Sequence, residues 1–295
     1  MHRRGLLSAF AVSLAAFALY RSALLPDFDF GDTGSLQTTV SSPYITPREA
    51  YPLYFAVSKA FVRLTREEPA AALNLLSAVE AAAACGLIVL AGTELSGSIA
   101  AASAAALLFA VSYTFWSQAV IAEVYALHMV FVALTLLLAL QWARRPTDGR
   151  LLLFFAVYAL GFGNHLSMIL LAPGYTIFLL AAAPRGWRSM LRPRVLAMAL
   201  TCAMFGALQY AWNLHTLWLL PDPPRGIADA LQRFWFDVTK SDWRDTMVMN
   251  VPRSMLADHL AMYWFDLRQQ FGIAGLFSPP RAWGTSRSPI GAAPS

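Results

Sequence analysis

The sequence predicts an all-α polytopic membrane protein with about seven transmembrane helices and a cytoplasmic N-terminus, and three observations predict it. Of the 295 residues, 58% are hydrophobic and 13% charged, where a soluble globular domain carries roughly 25% charged residues. Apolar stretches of about 18 residues or more recur along the chain, each long enough to cross a hydrocarbon core of about 30 Å. The cations fall in short clusters between those stretches: Arg3 and Arg4, then Arg144, Arg145 and Arg150, then Arg185, Arg188, Arg192 and Arg194. That placement is the positive-inside signal of membrane topology. The net charge of +5 therefore describes no basic stripe for phosphates, and nucleic acid is not expected as a partner.

The first span is expected at 5–25, opened by His2-Arg3-Arg4. A signal peptide begins in the same way, with Ala16-Phe17-Ala18 resembling a cleavage site, but the apolar run continues through Leu24 and Leu25 and favours an uncleaved anchor. Residues 26–69 then form a long outer loop holding Asp27, Asp29, Asp32, Glu49, Lys59, Arg63, Arg66, Glu67 and Glu68. Within it, 52–64 is too short to span and reads as an interfacial helix along the membrane surface.

Further spans are expected at 71–92, 98–115, 120–142, 151–163, 166–183 and 195–219. Phe115-Trp116-Ser117-Gln118 breaks the apolar run, and Gly163-Asn164-His165 forms a tight turn. With the N-terminus inside, both later Arg clusters also fall inside and the 26–69 loop outside. Residues 1–220 thus make a transmembrane domain, in the plasma (inner) membrane. Residues 221–277, with Phe234-Trp235-Phe236, Trp243 and Tyr263-Trp264, read as an outer-face amphipathic segment. Residues 278–295 are rich in Pro, Ser, Gly and Arg and read as a disordered tail, ending abruptly like a longer protein cut short.

Asp32 is the most suggestive acid, between Gly31 and Gly34 just beyond the first span. A carboxylate there can act as a general base toward a hydroxyl or help to bind a divalent cation. It can equally be an Asp-Gly turn capping the next helix. Glu123 lies at the outer end of the 120–142 segment, where it faces Asp32 across a cavity or pairs with an Arg. Asn164 and His165, at the same outer level, suit a phosphate or a sugar hydroxyl, or simply make a turn. His128 is expected as a hydrogen-bonded interior histidine, and Glu80 as a partner in a helix–helix hydrogen bond. Cys85 and Cys202 have no CxxC or Cys/His neighbour and read as small core residues. No residue cluster indicates a metal site, and no GxSxG, Walker, HExxH or Rossmann motif occurs.

Four motifs in order carry a resemblance: Gly31-Asp32-Thr33-Gly34-Ser35, then Tyr51-Pro52-Leu53-Tyr54, then Phe115-Trp116-Ser117-Gln118 with Glu123-Val124-Tyr125-Ala126-Leu127, then Gly161-Phe162-Gly163-Asn164-His165. Over residues 10–245 the chain resembles bacterial relatives of transmembrane protein 260, a protein O-mannosyltransferase-type family of the GT-C glycosyltransferase fold. The resemblance implies a mannosyltransferase or other hexosyltransferase that takes sugar from a polyprenyl-phosphate donor to a protein or lipid hydroxyl at the outer face, among membrane lipids. It implies that Asp32 is the base or acceptor-positioning group, and that Glu123, Tyr125, Asn164 and His165 match the family's later outer motifs. Arg48 and His165 are candidates to hold the donor phosphate. The chain departs from the family pattern in two places. Ser35 stands where relatives usually have the Glu of Asp-Ser-Gly-Glu, and Pro47-Arg48-Glu49-Ala50-Tyr51-Pro52 replaces His-Pro-Pro-Gly-Tyr-Pro. Glu49 is the candidate to substitute for the lost acid. Two other readings stay open: a non-catalytic or truncated relative, and a small-solute transporter, for which Glu80 is the one fair midplane acid.

Overall fold

The computed structural model describes residues 3–245 and 250–276, all helix, turn and loop. The chain divides into two compact units, Met1–Asn250 and Val251–Ser295. The tail read as disordered, 278–295, lies outside the described residues.

In the first unit, α1 (Arg3–Ser22) buries Gly5, Ala9, Val12, Ala16 and Tyr20 at helical spacing. The loop after it leads to α2 (Gly31–Thr39) and α3 (Pro52–Thr65), the helix expected on the membrane surface. The central helix, α4 (Pro69–Ser96), has Pro at its first turn and Gly97 closing its end in the left-handed conformation. At about 42 Å it is the axis of the bundle, with α1, α3 and, in turn, α5 (Ile99–Ala110), α6 (Tyr113–Ala119) and α7 (Tyr125–Arg144) packed against it.

Small residues make that packing close. A Cβ on Gly86 would sit 2.2 Å from Ser13 Oγ and 3.2 Å from Ala9 O, so α1 and α4 approach each other at a distance that only glycine allows. Cys85 is fully buried beside it, its Sγ 3.7 Å from the Tyr20 hydroxyl, which donates to Ala110 O at 3.0 Å. Association of this kind, small residues with dispersion contacts and a few hydrogen bonds, is how helices pack where lipid removes the hydrophobic drive.

The chain continues through α8 (Asp148–Gly161), a 3-10 turn into α9 (Ala172–Ala181), α10 (Pro193–Leu208), α11 (Ala211–Thr216), α12 (Ile227–Val238) and α13 (Ser241–Arg244). A core of Leu36, Val40, Ile45, Tyr54, Phe55, Leu73, Val124, Leu127, Phe131 and Met168 joins α2, α3, α4, α7 and the 166–171 turn. On α12, Ile227, Leu231 and Trp235 form an exposed stripe at four-residue spacing, while Arg233 bridges Asp229 and Asp222. In the second unit, α14 (Leu256–Leu276) follows a short 3-10 turn.

Among the described residues, four helical segments are long and apolar enough to cross a membrane: Arg3–Ser22, Pro69–Ser96, Tyr125–Arg144 and Pro193–Leu219. A fifth is counted if α5 and α6, bent by 68° at their junction, make one span. The protein is thus a multi-pass membrane protein with four or five spans by length and composition among its described residues, against about seven expected. The difference lies in 151–163 and 166–183. There α8 has 14 residues, about 21 Å of helix, and Leu166–Ala181 is also short of a full crossing. The break expected at 115–118 falls earlier, at Val111-Ser112, and the Phe-Trp-Ser-Gln run is itself helical in α6.

Candidate functional site

The site is built over the 36–168 core from segments far apart in the chain. Gly31, at φ +68°, turns the loop into α2, and Asp32 falls, exposed, in that helix's first turn. A Cβ on Gly34 would lie 2.3 Å from Asp29 O and 3.1 Å from Phe28 Cζ, so the glycine lets α2 fold back on the preceding loop. Gln37 fixes this arrangement from the buried side. Its Oε1 accepts from Asp29 N at 3.0 Å, and its Nε2 donates to Asn74 Oδ1 at 3.0 Å. Asn74 in turn donates to Leu25 O and Asp27 O, at 2.9 and 3.1 Å. Polar groups of α2 and α4 thereby pin the whole 25–29 loop.

Beside Asp32, the buried Thr33 donates its hydroxyl to Glu123 Oε1 at 3.3 Å. Glu123 is 9% exposed, lies just ahead of α7 and not inside it, and its backbone N–H donates to Ser77 Oγ on α4 at 3.3 Å. Burial, and next the charge of Asp32, push the Glu123 carboxyl up from its ordinary value, against the pull of the Thr33 hydrogen bond. Asp32 and Glu123 are thus neighbouring carboxyls in unlike settings, one solvated and one buried.

The rest of the floor is aromatic. Tyr51 stacks on His165 at 5.7 Å and 13°, and Tyr125 and His128 lie 5.5 and 5.3 Å from the same imidazole. Tyr125 is also within electrostatic reach of Glu123, Tyr51 and Asp32. Asn164, fully buried, donates from Nδ2 to Val124 O at 3.1 Å and ties the turn to the start of α7. Leu53 N donates to Gly163 O at 2.8 Å, joining α3 to the same turn. Burial, then His128 and Lys240, push His165 down to about 4. The ring is uncharged at neutral pH.

A family model described as Protein O-mannosyl-transferase TMEM260 N-terminal domain matches residues 32–188, more than half of the chain. The chain belongs to the TMEM260 family. The matched segment begins at Asp32 and takes in Glu123, Tyr125, Asn164 and His165, so these five residues all lie within the TMEM260 domain. Membership makes this multi-pass protein a relative of protein O-mannosyltransferases, and the family description points to glycosyltransferase activity. No solved structure matches the chain.

In this TMEM260-family chain the structure brings together five of the seven expected site residues. Arg48 and Glu49 make their hydrogen bonds with other residues. Arg48 makes a bidentate pair with Asp242 on α13, at 2.6 and 3.0 Å, and Glu49 accepts from the Thr46 hydroxyl within its own turn. The cation that does meet the aromatic floor is Lys240, beyond the TMEM260 match. Its Nζ donates to the Tyr51 hydroxyl at 3.1 Å and sits 5.2 Å over that ring. No sequence signal marks Lys240, because 189 residues separate it from Tyr51. Thr33, Ser77, Gln37 and Asn74 were also missed. Their signal was buried polar residues at helical spacing, Asn74 and Ser77 on one face of α4.

Glu80 makes no helix–helix hydrogen bond. Both its carboxyl oxygens are buried and meet no hydrogen-bond partner among the described residues. His128 is hydrogen-bonded as expected, through Nε2 to Ser167 Oγ at 3.1 Å. Among the described residues no group of three or more His, Cys, Asp or Glu is placed to hold a metal. Beside the 162–165 turn, an apolar cavity of about 420 Å³ opens between α8, α9 and α10, lined by Phe154, Tyr158, Tyr175, Ala203, Gly206 and Tyr210. The Tyr210 hydroxyl donates to Phe162 O at 2.7 Å.

Proposed function

We propose that this protein is a GT-C-type membrane glycosyltransferase that moves a sugar, mannose in the first instance, from a polyprenyl-phosphate donor to a protein or lipid hydroxyl. The observation that supports it is the convergence of the first-loop Asp32, the pre-α7 Glu123 and Tyr125, and the Asn164-His165 turn on one aromatic floor. In this reading the four long helices, the bent pair and the two shorter segments make seven crossings of the plasma membrane. The N-terminus is then cytoplasmic, and the site opens on the extracytoplasmic side.

The chemistry is a single inverting displacement. The acceptor oxygen attacks the anomeric carbon, the bond from that carbon to the phosphate oxygen breaks, and its electron pair leaves with the phosphate. Asp32, exposed and free of an ion pair among the described residues, takes the acceptor proton. Glu123, held toward its neutral form by burial, adds little negative charge beside it. Lys240, over Tyr51, supplies positive charge to the departing phosphate. Arg48 joins it only by giving up Asp242. The apolar cavity beside the turn receives the start of the isoprenoid tail.

The test is transfer of radiolabelled sugar by the purified chain in lipid, from polyprenyl-phosphate mannose and polyprenyl-phosphate glucose. Asp32→Asn is expected to lower transfer by about 10²–10⁴-fold with thermal stability unchanged. Full activity in that variant would remove Asp32 from the mechanism. A non-catalytic relative is the second reading, favoured by Ser35 in place of the acid and by Arg48 already neutralised by Asp242. Transfer by the unmodified chain with either donor would dismiss it.

A further inference from the structure

Ser167 lies two residues beyond His165 and touches both imidazoles of the site. Its backbone N–H donates to His165 Nδ1 at 3.1 Å. A ring nitrogen that accepts an N–H carries no proton, so the proton of the neutral His165 ring is on Nε2. The Ser167 hydroxyl lies 2.7 Å from the same Nδ1 and 3.1 Å from His128 Nε2. Because Nδ1 has no hydrogen to give, the hydroxyl hydrogen points to it. The lone pairs of Oγ are then left for His128, whose Nε2 must carry its proton.

The reverse arrangement fails on two counts. It would set two lone pairs against each other across 2.7 Å, and it would leave a buried N–H on His128 Nδ1 without a partner. The arrangement assigned here leaves only a bare ring nitrogen there, in keeping with the lack of a partner for His128 Nδ1 among the described residues. A buried acceptor left unmet is the smaller penalty. Proton order therefore runs His128 Nε2–H to Ser167 Oγ–H to His165 Nδ1, and the remaining hydrogen is His165 Nε2–H. Among the described residues nothing in the protein takes that hydrogen, and the ring that bears it is clamped by Tyr51 and Tyr125.

We propose that Ser167 and His128 are positioning residues that hold His165 as its neutral Nε2–H tautomer, so that the site offers a fixed hydrogen-bond donor, and not a base, to a substrate oxygen. The identity of that oxygen, a phosphate oxygen of the leaving group, rests on the transferase reading; the tautomer does not. An uncharged donor suits a site where Lys240 already supplies the positive charge, and it leaves proton abstraction to Asp32.

Two readouts on the full-length chain in lipid nanodiscs test this. With ¹⁵N-labelled histidine, imidazole nitrogen shifts report which nitrogen of His165 is protonated, with His165→Gln as the assignment control. The wild type is expected to show the Nε2–H form. Ser167→Ala removes the closer of the two donors to Nδ1 and keeps the backbone N–H; it is expected to add a minor Nδ1–H population and to lower kcat for transfer about tenfold, the scale of one hydrogen bond, with KM little changed. Ser167→Thr, which keeps the hydroxyl, should restore both. An Nδ1–H signal in the wild type overturns the proposal, as does a Ser167→Ala protein with wild-type spectrum and kcat. If the wild type transfers no sugar, the transferase reading falls while the nitrogen spectra still decide the tautomer.

Discussion

Glu123 and Asp32 are neighbouring carboxyls that differ in what surrounds them: one is buried under Thr33, the other sits on an open helix turn. Burial raises the Glu123 value in the folded protein, so the native state holds that proton more tightly than the unfolded chain does. Stability from this group is then greatest at acid pH and falls as pH rises from the ordinary carboxyl range through the raised native value. Glu123→Gln, which keeps an oxygen for Thr33, is expected to raise the Tm at pH 7 and to lose that gain near pH 4, in unfolding curves taken from pH 4 to 8. A variant less stable than wild type at pH 7 would show Glu123 to be ionised and paired. At this scale the sequence is informative where motifs are contiguous: Asp32, Glu123, Tyr125, Asn164 and His165 all stand in short runs and all meet. Arg48 has no such meeting, because its charge is taken by Asp242, a residue 194 positions away. Pairing at that distance leaves no trace in local pattern.

The short helix α2 shows how an element without an apolar stripe is held. It is mostly polar, so periodicity does not announce it, and its position depends on Gln37 and Asn74 and on the close approach at Gly34. Gly34→Ala puts a methyl against the Asp29 carbonyl, which is backbone and cannot turn aside. The expected cost is about 1–3 kcal/mol, together with lowered transfer as Asp32 is displaced. Ser35→Ala, at an exposed neighbour, should lie within about 0.5 kcal/mol of wild type. Equal effects in the two, measured by thermal unfolding, would place the constraint elsewhere. The helix α3 and the long helices α1, α4 and α7 were legible because apolar patterning reports them directly. The count of seven was not legible in the same way. The apolar runs at 151–163 and 166–183 are interrupted by backbone turns whose position depends on packing against α7 and α10, and hydropathy does not record where a helix stops.

For the molecule as a whole, the 1–250 unit couples a small-residue bundle to a polar site mounted on its end. The bundle was readable as membrane-embedded from composition, and the joining of α12 and α13 to the site through Lys240 and Asp242 was not. Its closest packing, around Gly86 and Ser13, has a practical consequence through the thiol next to it. Cys85 has no exposed surface, so a maleimide reaches it only when α1 parts from α4, and its labelling serves as a clock for that event. In a Cys202→Ala background, modification of Cys85 in nanodiscs should be slow and follow a single rate. Gly86→Ala, which crowds Ser13, should quicken it. Prompt labelling of the unaltered bundle would mean that α1 is only loosely held. A measured lag would give the opening rate of the scaffold on which the site rests, with no substrate needed to obtain it.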